Sequence, residues 1–312
     1  MPQQVELLDG GTGEELFRLG VPDDRKTWSA YALTHDEFHG TVVDVHRSYL
    51  LAGATYITTN NYMVTPAGHF SPEDIPNYVK VAGQLARDAI NSSTWNSPRK
   101  VCGSLPPLSE SYRHDLVLPA TDAIPLYTVI GESLSPYVDL FLAETMSSIA
   151  EARNALTGVQ HLGKPVLVSF TLRGDGVLRS GETVADALAM LQSMAHPVVV
   201  GVLFNCCEPE AVTIALRSLI SSSFEFRIGA YANALTPVPD GWVMEGASPQ
   251  SFRTDLSPTE YLEHVQEWIR LGASLVGGCC AVGPRHIQAI HDAVIVGAVP
   301  AVHDGTSAIR HG

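Results

Sequence analysis

Short runs of apolar residues recur along the chain, and longer stretches with apolar residues at helical spacing lie between them. Most of the runs are four to seven residues long and do not alternate strictly with polar residues. Such runs are typical of strands that are buried on both faces of a parallel sheet. The predicted strands are Val5–Leu8, Thr55–Thr59, Lys100–Gly103, Val138–Ala143, Val166–Phe170, Val198–Phe204, Phe226–Tyr231 and Ala273–Val276.

Helix signals occupy several of the intervening stretches. Ser257 is followed by a proline at the first helical position and then by Glu260, which predicts a capping box. Thr183 is placed to act as an N-cap in the same way. The clearest predicted helices are Ile75–Asn91, Thr183–Met194, Ser257–Leu271 and Pro284–Val296.

A helical segment follows each of the eight predicted strands, and this alternation predicts an α/β fold, a single (β/α)₈ TIM-type barrel over residues 1–299. A doubly wound open sheet is the alternative, but no G-x-G-x-x-G segment follows the first strand. Residues 300–312 lack periodicity and are predicted to form a flexible tail. Elaborated βα loops are predicted at Leu105–Thr121, Arg173–Glu182 and Ala232–Asp255.

The charge and the apolar content of the chain limit the kinds of partner that it is expected to bind. Lys and Arg number 19 against 33 Asp and Glu in 312 residues, a formal net charge of −14. Because nucleic-acid affinity rests on basic residues, this balance argues against nucleic acid and favours a small cationic or zwitterionic ligand. No apolar run approaches the ~20 residues of a membrane span, and the first twenty residues lack a signal peptide's basic and apolar regions. With five cysteines, an odd number, the chain is predicted to be cytoplasmic.

Polar and thiol groups follow the predicted strands directly. In a (β/α)₈ barrel these positions converge on one rim, where active sites are built. The glycine-rich segment after the first strand has no P-loop lysine, which favours close backbone approach to a carboxylate over phosphate binding. The segments are DGGTG at 9–13, TTNNY at 58–62, GS at 103–104, ET at 144–145, NCC at 205–207, YAN at 231–233 and GGCC at 277–280.

The cysteines at this rim suggest a metal site. Cys279 and Cys280 are adjacent, so they cannot form an ordinary disulfide, but a bend could turn both sulfur atoms toward one ion. Cys206 or Cys207 would lie two strands away around the rim. Three thiolates with an open fourth position are typical of a catalytic zinc site. Cys102, inside an apolar strand, is expected to be a core residue.

Two carboxylates also follow apolar runs directly. Asp9 and Glu144 would be costly to bury without a partner, and we expect them to bind a substrate ammonium group. Two alternatives remain open at this point. Asp9 precedes two glycines and could be a turn residue, and Glu144 could serve the first turn of the following helix.

Taken together, these segments resemble the zinc-dependent homocysteine S-methyltransferases. The resemblance is nearly full-length, and its most specific parts are the paired GGCC and the earlier Asn-Cys. It covers LLDGGTGEEL (7–16), TTNNYMVTP (58–66), GSLPP (103–107), LFLAETMSSIAEA (140–152), FNCCEPEAV (204–212), YANAL (231–235) and GASLVGGCCAVGPRHI (272–287).

The resemblance implies a (β/α)₈ barrel and a role for each matching residue. Cys206, which follows an asparagine, would bind Zn²⁺ with Cys279 and Cys280, although Cys207 is an alternative to Cys206. The remaining residues would bind substrate: Asp9 and Glu144 would hold the amine of homocysteine, Gly10 and Gly11 would lie close to it, and Asn61 and Tyr62 would complete the site.

The implied reaction transfers a methyl group from S-methylmethionine or S-adenosylmethionine to the homocysteine thiol and gives methionine. No catalytic group beyond the zinc-bound thiolate of the substrate is expected. A betaine-type donor or a related acceptor such as selenohomocysteine is the alternative, because the segment GSLPPLSESYRHD and Thr145 depart from the patterns of the known donor branches. A non-enzymatic zinc or thiol-binding barrel is a more distant alternative. A lysine-dependent lyase has little support, since no lysine follows a predicted strand.

Overall fold

Eight parallel strands form one sheet that closes into a barrel. The computed structural model describes residues 4–194, 198–220, 225–245 and 250–297. Neighbouring strands pair in the order β1-β8-β7-β6-β5-β4-β3-β2. The strands are β1 (Glu6–Leu7), β2 (Tyr56–Thr58), β3 (Lys100–Leu105), β4 (Leu140–Met146), β5 (Val166–Phe170), β6 (Val199–Asn205), β7 (Arg227–Tyr231) and β8 (Ala273–Val276).

The seam between β1 and β2 is closed by few hydrogen bonds. The Thr55 N–H donates to the Leu7 carbonyl oxygen at 2.8 Å, and the Leu7 N–H donates to the Thr55 hydroxyl at 3.1 Å. Two residues beyond Leu7, the Asp9 carboxylate accepts the Thr58 N–H at 2.7 Å. The predicted (β/α)₈ barrel is therefore confirmed, and the alternative of an open sheet is wrong.

Helices surround the sheet, and none in the described part of the chain is long and apolar enough to cross a membrane. Short 3₁₀ turns occur at Trp28–Ala30, Asp36–Phe38, Pro66–Gly68, His114–Leu116 and Gln160–Leu162. The α-helices are α1 (Thr12–Arg18), α2 (Tyr31–Thr34), α3 (His39–Leu51), α4 (Ile75–Asn91), α5 (Ala120–Leu134), α6 (Ile149–Val159), α7 (Val184–Ser193), α8 (Pro209–Ser218), α9 (Pro258–Arg270) and α10 (Pro284–Ile290).

The bounds agree with the sequence pattern where the local signals are strong. The observed β5, β8 and α4 have the predicted ends. At the start of α7, Thr183 and Asp186 bond reciprocally, each backbone N–H donating to the other side chain at 3.1 Å. The last predicted helix ends early, because the chain changes at His291 to a π-helix that continues to Val296. The predicted tail at 300–312 lies outside the described residues.

The alternation of side chains along the strands produces two apolar cores. Most buried side chains fill the layer between the sheet and the helices. A smaller set fills the barrel interior, and Cys102 belongs to it, as the apolar surroundings of this cysteine predict. Cys279 packs against this interior set, so the barrel core supports the segment that carries Cys279 and Cys280. The interior set is Leu8, Tyr56, Cys102, Leu140, Leu142, Leu167, Leu203, Tyr231 and Leu275.

The barrel interior supplies a test of the packing. Leu203 is 0% exposed, and we expect Leu203→Ala to lower the free energy of unfolding by about 2–5 kcal/mol, because it removes apolar contacts and leaves a cavity. Urea denaturation followed by circular dichroism measures the loss. Ile214→Ala, at a position on α8 that is 45% exposed, is the control and should cost less than about 1 kcal/mol. Equal losses in the two variants would contradict the interior position of Leu203.

Candidate functional site

A cavity of about 480 Å³ opens among the segments that follow the strands. Its polar wall is built from residues at or after the carboxyl ends of β1, β2, β3, β4, β6 and β8, which is the face that carries active sites in (β/α)₈ barrels. The residues predicted from the sequence that lie in this wall are Asp9, Gly10, Gly11, Tyr62, Glu144, Cys206, Cys279 and Cys280.

Three cysteine sulfur atoms lie together in the wall. The Sγ atom of Cys280 is 3.8 Å from Sγ of Cys206 and 4.0 Å from Sγ of Cys279. All three atoms lie within 4.8 Å of one another. A tetrahedral zinc ion with Zn–S bonds of about 2.3 Å holds its sulfur ligands about 3.8 Å apart. The spacing of the sulfur atoms therefore fits zinc, and three ligands leave one tetrahedral position for another group.

Cys207 does not join this cluster. It is buried in the apolar layer between the sheet and the helices, and it lines a separate cavity of about 300 Å³. Burial raises the pKa of its thiol to about 12. Of the two adjacent cysteines after β6, the geometry therefore favours Cys206 as a metal ligand.

Electrostatics favour negative charge on the Cys206 sulfur. Hydrogen bonds from the thiols of Cys279 and Cys280 hold the pKa of Cys206 well below its ordinary value. The Tyr112 hydroxyl lies 3.0 Å from the same sulfur and acts in the same direction. The Tyr112 ring packs edge-on to Trp242, and the guanidinium of Arg179 lies 5.2 Å from its centre. A thiolate held in this way is suited to binding a cation.

The backbone at the cluster adopts a conformation that is uncommon for residues other than glycine. Cys206 has a φ of 50°, Thr145 a φ of 60° and Ala281 a φ of 64°. Asn205 fixes one of these positions, Thr145: its side-chain oxygen accepts the Thr145 N–H at 2.9 Å, and its amide nitrogen donates to the Thr145 hydroxyl at 2.8 Å. Strain of this kind persists only where surrounding contacts hold it. The Asn-Cys pair thus has a structural reason, because Asn205 ties the end of β4 to the cysteine of β6.

Glu144 projects into the cavity from an irregular end of β4. The register between β4 and β5 shifts between Ala143 and Met146, as at a bulge that redirects a side chain. The Ser104 hydroxyl donates to Glu144 at 2.5 Å. Burial raises the pKa of Glu144 to about 8, with nearby negative charge at Asp9 and Cys206 acting in the same direction. Such a carboxyl is well placed to pair with a cationic group.

Asp9 faces both the cavity and the barrel seam. Its two oxygens accept the Thr58 N–H at 2.7 Å and the Thr58 hydroxyl at 3.2 Å. Burial raises the pKa of Asp9 to about 7, against the lowering effect of these hydrogen bonds. The carboxylate therefore replaces a backbone contact between β1 and β2 while it lies in the cavity wall.

Gly10 and Gly11 allow the polypeptide segments to approach one another closely. A Cβ atom at Gly10 would collide with the Val282 carbonyl oxygen and the Tyr49 ring. The Gly11 N–H donates to the same carbonyl oxygen at 3.0 Å, and the Tyr49 hydroxyl donates to the Gly11 carbonyl oxygen at 3.0 Å. The two glycines thus bring β1 against the segment that carries the paired cysteines.

Asn61 and Tyr62 have different surroundings. Asn61 is 0% exposed; its amide donates to the Ser104 carbonyl oxygen at 3.0 Å, and its oxygen accepts the Thr59 hydroxyl. The structure thus places Asn61 between β2 and β3, outside the cavity wall, while the neighbouring Asn60 lines the cavity. Tyr62 lies in the wall and its hydroxyl is 2.9 Å from that of Ser111.

Aromatic side chains line part of the cavity. The centre of the Trp28 ring lies 6.2 Å from that of Tyr62 and 6.4 Å from that of Phe17. Gly13 makes room for this cluster, because a Cβ atom there would lie 2.5 Å from the Trp28 ring. Sequence reasoning did not select Trp28, since a lone tryptophan in a loop carries no spacing signal.

Three other residues of the site have no role assigned from the sequence, although Ser104 is in the predicted rim segment at 103–104. Glu14 lines the cavity, and burial raises the pKa of its carboxyl to about 7. Ser104 and Tyr112 contact Glu144 and Cys206 respectively. Glu14 directly follows the glycine-rich segment at 9–13, whereas Tyr112 lies in a long loop without a pattern that would single it out.

Comparison with known proteins agrees with this geometry. The E. coli (strain K12) protein named homocysteine S-methyltransferase is 26% identical over 308 residues, which cover 92% of this chain and 94% of that protein. Homocysteine S-methyltransferase 1 of Arabidopsis thaliana is 25% identical over 315 residues, with 91% of each chain covered. The fold is also similar to the crystal structure of the metallated form of the homocysteine methyltransferase MmuM from E. coli, with a TM-score of 0.77 and 24% identity over 92% of this chain and 96% of that chain.

The family profile extends over almost the whole barrel. The profile described as homocysteine S-methyltransferase matches residues 6–294, from the first strand to the helical segment after β8. This range includes the three cysteines of the sulfur cluster. It also includes the acids of the cavity wall, hereafter the acidic wall, which are Asp9, Glu14, Asp23 and Glu144. The chain therefore belongs to the homocysteine S-methyltransferase family, which is a family of methyltransferases.

Proposed function

We propose that this protein transfers a methyl group to the thiol of homocysteine and forms methionine, with Zn²⁺ held by Cys206, Cys279 and Cys280. One observation carries the proposal: a three-sulfur cluster with zinc-like spacing shares a cavity with buried carboxyl groups, in a chain of this family. The thiol of homocysteine suits the remaining tetrahedral position, and its ammonium group suits the acids.

The chemistry requires a sulfur nucleophile at neutral pH. Bound zinc would supply it, because metal coordination deprotonates a thiol whose pKa is otherwise about 8.5. Three thiolate ligands would more than neutralise the charge of Zn²⁺, so the formal charge of the site would be negative. This would leave the substrate sulfur electron-rich. The cavity wall in the described part of the chain contains no histidine, and attack on a methyl carbon needs no acid or base.

The acids would orient the substrate. Glu144 and Asp9 each accept a hydrogen bond from the fold, which fixes the carboxyl groups while unused lone pairs remain for the ligand. A substrate ammonium group would offset the cost of burying their negative charge. Homocysteine that is bound through its amine would hold its sulfur in a fixed orientation toward the methyl donor. Such orientation of the reacting atoms increases the rate of transfer.

The methyl donor is proposed to be a sulfonium compound, S-methylmethionine or S-adenosylmethionine. The acidic wall favours a positively charged donor, and the faces of Trp28 and Tyr62 are suited to one. Betaine is also a cation and stays the alternative donor. The reaction requires reduced cysteines, so we also propose a reducing compartment such as the cytoplasm.

Other function classes find less support. A closed storage site would need a fourth thiolate, but Cys207 and Cys102 lie in apolar surroundings, and the described cluster comprises three sulfur atoms. A Schiff-base enzyme would need a lysine, and none lines the described cavity wall.

A pair of neighbouring cysteines tests the metal site. We expect Cys206→Ser to reduce zinc content far below one ion per chain and to abolish methionine formation, because it removes a thiolate ligand; Cys279→Ser should do the same. Cys207→Ser is the matched control and should keep both zinc and activity, since its sulfur lies outside the cluster. Metal analysis of reduced, purified protein measures the effect. Zinc loss in Cys207→Ser alone would overturn the assignment of Cys206.

A pair of buried glutamates tests amine binding. Glu144→Gln should raise the KM for homocysteine by about 10- to 100-fold, since a hydrogen bond to a charged group contributes about 1.5–3 kcal/mol. Steady-state kinetics at saturating donor measure the change. Glu151→Gln, at another buried glutamate that bonds to Ser147 outside the cavity, should leave this KM nearly unchanged. An unchanged KM in Glu144→Gln would count against the amine site.

A parallel assay tests the donor. Zinc-loaded protein and homocysteine are incubated with S-methylmethionine, S-adenosylmethionine or betaine, and methionine is quantified. We expect one of the two sulfonium donors to give the highest rate, because the acidic wall matches their positive charge. Turnover with betaine alone would reject the sulfonium proposal and keep the family reaction, whereas a zinc-loaded protein inactive with all three donors would reject the proposed function.

A further inference from the structure

The wall of the cavity contains a further acid, Glu14, directly beside the sulfur cluster. One oxygen of its carboxylate, Oε2, is buried and has no hydrogen-bond partner. A Cβ atom added to Gly11 would lie 2.7 Å from this oxygen, 2.8 Å from the Cys279 carbonyl oxygen and 3.2 Å from Cα of Cys280. The missing side chain of Gly11 thus leaves the space that the carboxylate occupies against the paired cysteines.

The other acids nearby have hydrogen-bond partners on the strands of the barrel, whereas the Glu14 carboxyl bonds to the paired-cysteine segment, at the Cys280 thiol and the Ala281 backbone. Asp9 accepts hydrogen bonds from Thr58, and Glu144 accepts one from Ser104. Within the described residues, Oε2 of Glu14 is the one carboxylate oxygen that is buried without a partner. Leaving such an oxygen unpaired is costly unless a bound group compensates it.

The described protein does not supply a compensating cation. No arginine, lysine or histidine of the described residues lies within ion-pair distance of Glu14. The two arginines in the cavity wall are directed to other acids, Arg18 to Glu15 at 2.7 Å and Arg25 to Asp23 at 3.6 Å. The described side chains therefore leave the Glu14 carboxylate free to pair with a cationic group of a ligand.

The methyl donor is the ligand that carries this charge to the sulfur cluster. Homocysteine has a single ammonium group, which the proposed function assigns to Glu144 and Asp9. We propose that Glu14 binds the onium centre of the methyl donor, an inference that rests on the proposed function. The position fits, because Glu14 lies against the cysteines at which the acceptor sulfur would be held.

The reaction removes the positive charge of the donor sulfonium group as it proceeds. The thiolate sulfur of homocysteine forms a bond to the methyl carbon while the bond from that carbon to the donor sulfonium breaks. The electron pair of the broken bond stays on the donor sulfur, which leaves as a neutral thioether, so one negative and one positive charge disappear together. Glu14 thus attracts the donor and loses its partner once the methyl group has moved, which favours the charged donor over its neutral product.

A pair of ligands that differ in charge tests the proposal. S-methylmethionine is the charged probe, and homoleucine is its neutral isostere, with an isopropyl group in place of the dimethylsulfonium group. Binding of each to the zinc-loaded protein without homocysteine is measured by calorimetry. Glu14→Gln should weaken binding of S-methylmethionine by about 10- to 100-fold and change binding of homoleucine by less than about threefold, with zinc content unchanged.

Two further variants serve as controls. Asp36→Asn removes one negative charge from a side chain that is 98% exposed, and it should leave binding of S-methylmethionine within about twofold of the wild type. Glu14→Asp keeps the charge on a shorter side chain and should restore part of the preference for the charged probe.

The outcomes separate this inference from the proposed function. Equal effects of Glu14→Gln on both probes, no effect on either, or loss of zinc would overturn the role of Glu14 while wild-type methyl transfer stands. A zinc-loaded wild type that transfers no methyl group from any onium donor would overturn the proposed function and this inference together.

Discussion

The close approach of three cysteine sulfur atoms is the constraint on which the rest of the site depends. Cys206 directly follows β6 and Cys280 follows β8, and their sulfur atoms are 3.8 Å apart. To reach this spacing the backbone turns left-handed at Cys206 and again at Ala281. The Asn205 side chain, next to Cys206 in the sequence, holds a third such turn at Thr145. Gly10 and Gly11, which follow the first strand, pack closely on the segment that carries the paired cysteines. Much of the local structure therefore serves to hold the sulfur atoms together.

Burial of several acids in one cavity has an electrostatic consequence. Burial raises the pKa of Asp9, Glu14 and Glu144 to between about 7 and about 8. Each ionised carboxylate makes the next ionisation more costly, so a bound cation favours ionisation of the acids around it. The site is thus adapted to positively charged groups on both substrates, and it repels ligands that bring only negative charge.

The sequence could predict the features that depend on local pattern or residue chemistry. Eight apolar runs with intervening helices gave the barrel, and the capping residue Thr183 marked the start of a helix. The paired Cys279 and Cys280 indicated a metal site, which the sulfur spacing fits. Pattern could not reveal that Asn61 is used to brace two strands, or that Tyr112 reaches Cys206, because both depend on loop geometry and on contacts between residues distant in sequence.

The first strand links binding to the integrity of the barrel. It has only two residues, and the Asp9 carboxylate continues its pairing with β2 by accepting the Thr58 N–H. The Asp9 side chain closes the seam between β1 and β2 and also lines the ligand cavity. Ligand binding and closure of the barrel therefore depend on the same carboxylate. By linkage, a substrate that binds only the closed form stabilises it in proportion to the logarithm of its concentration. The barrel's resistance to opening at this edge is then a property of the substrate supply as well as of the chain.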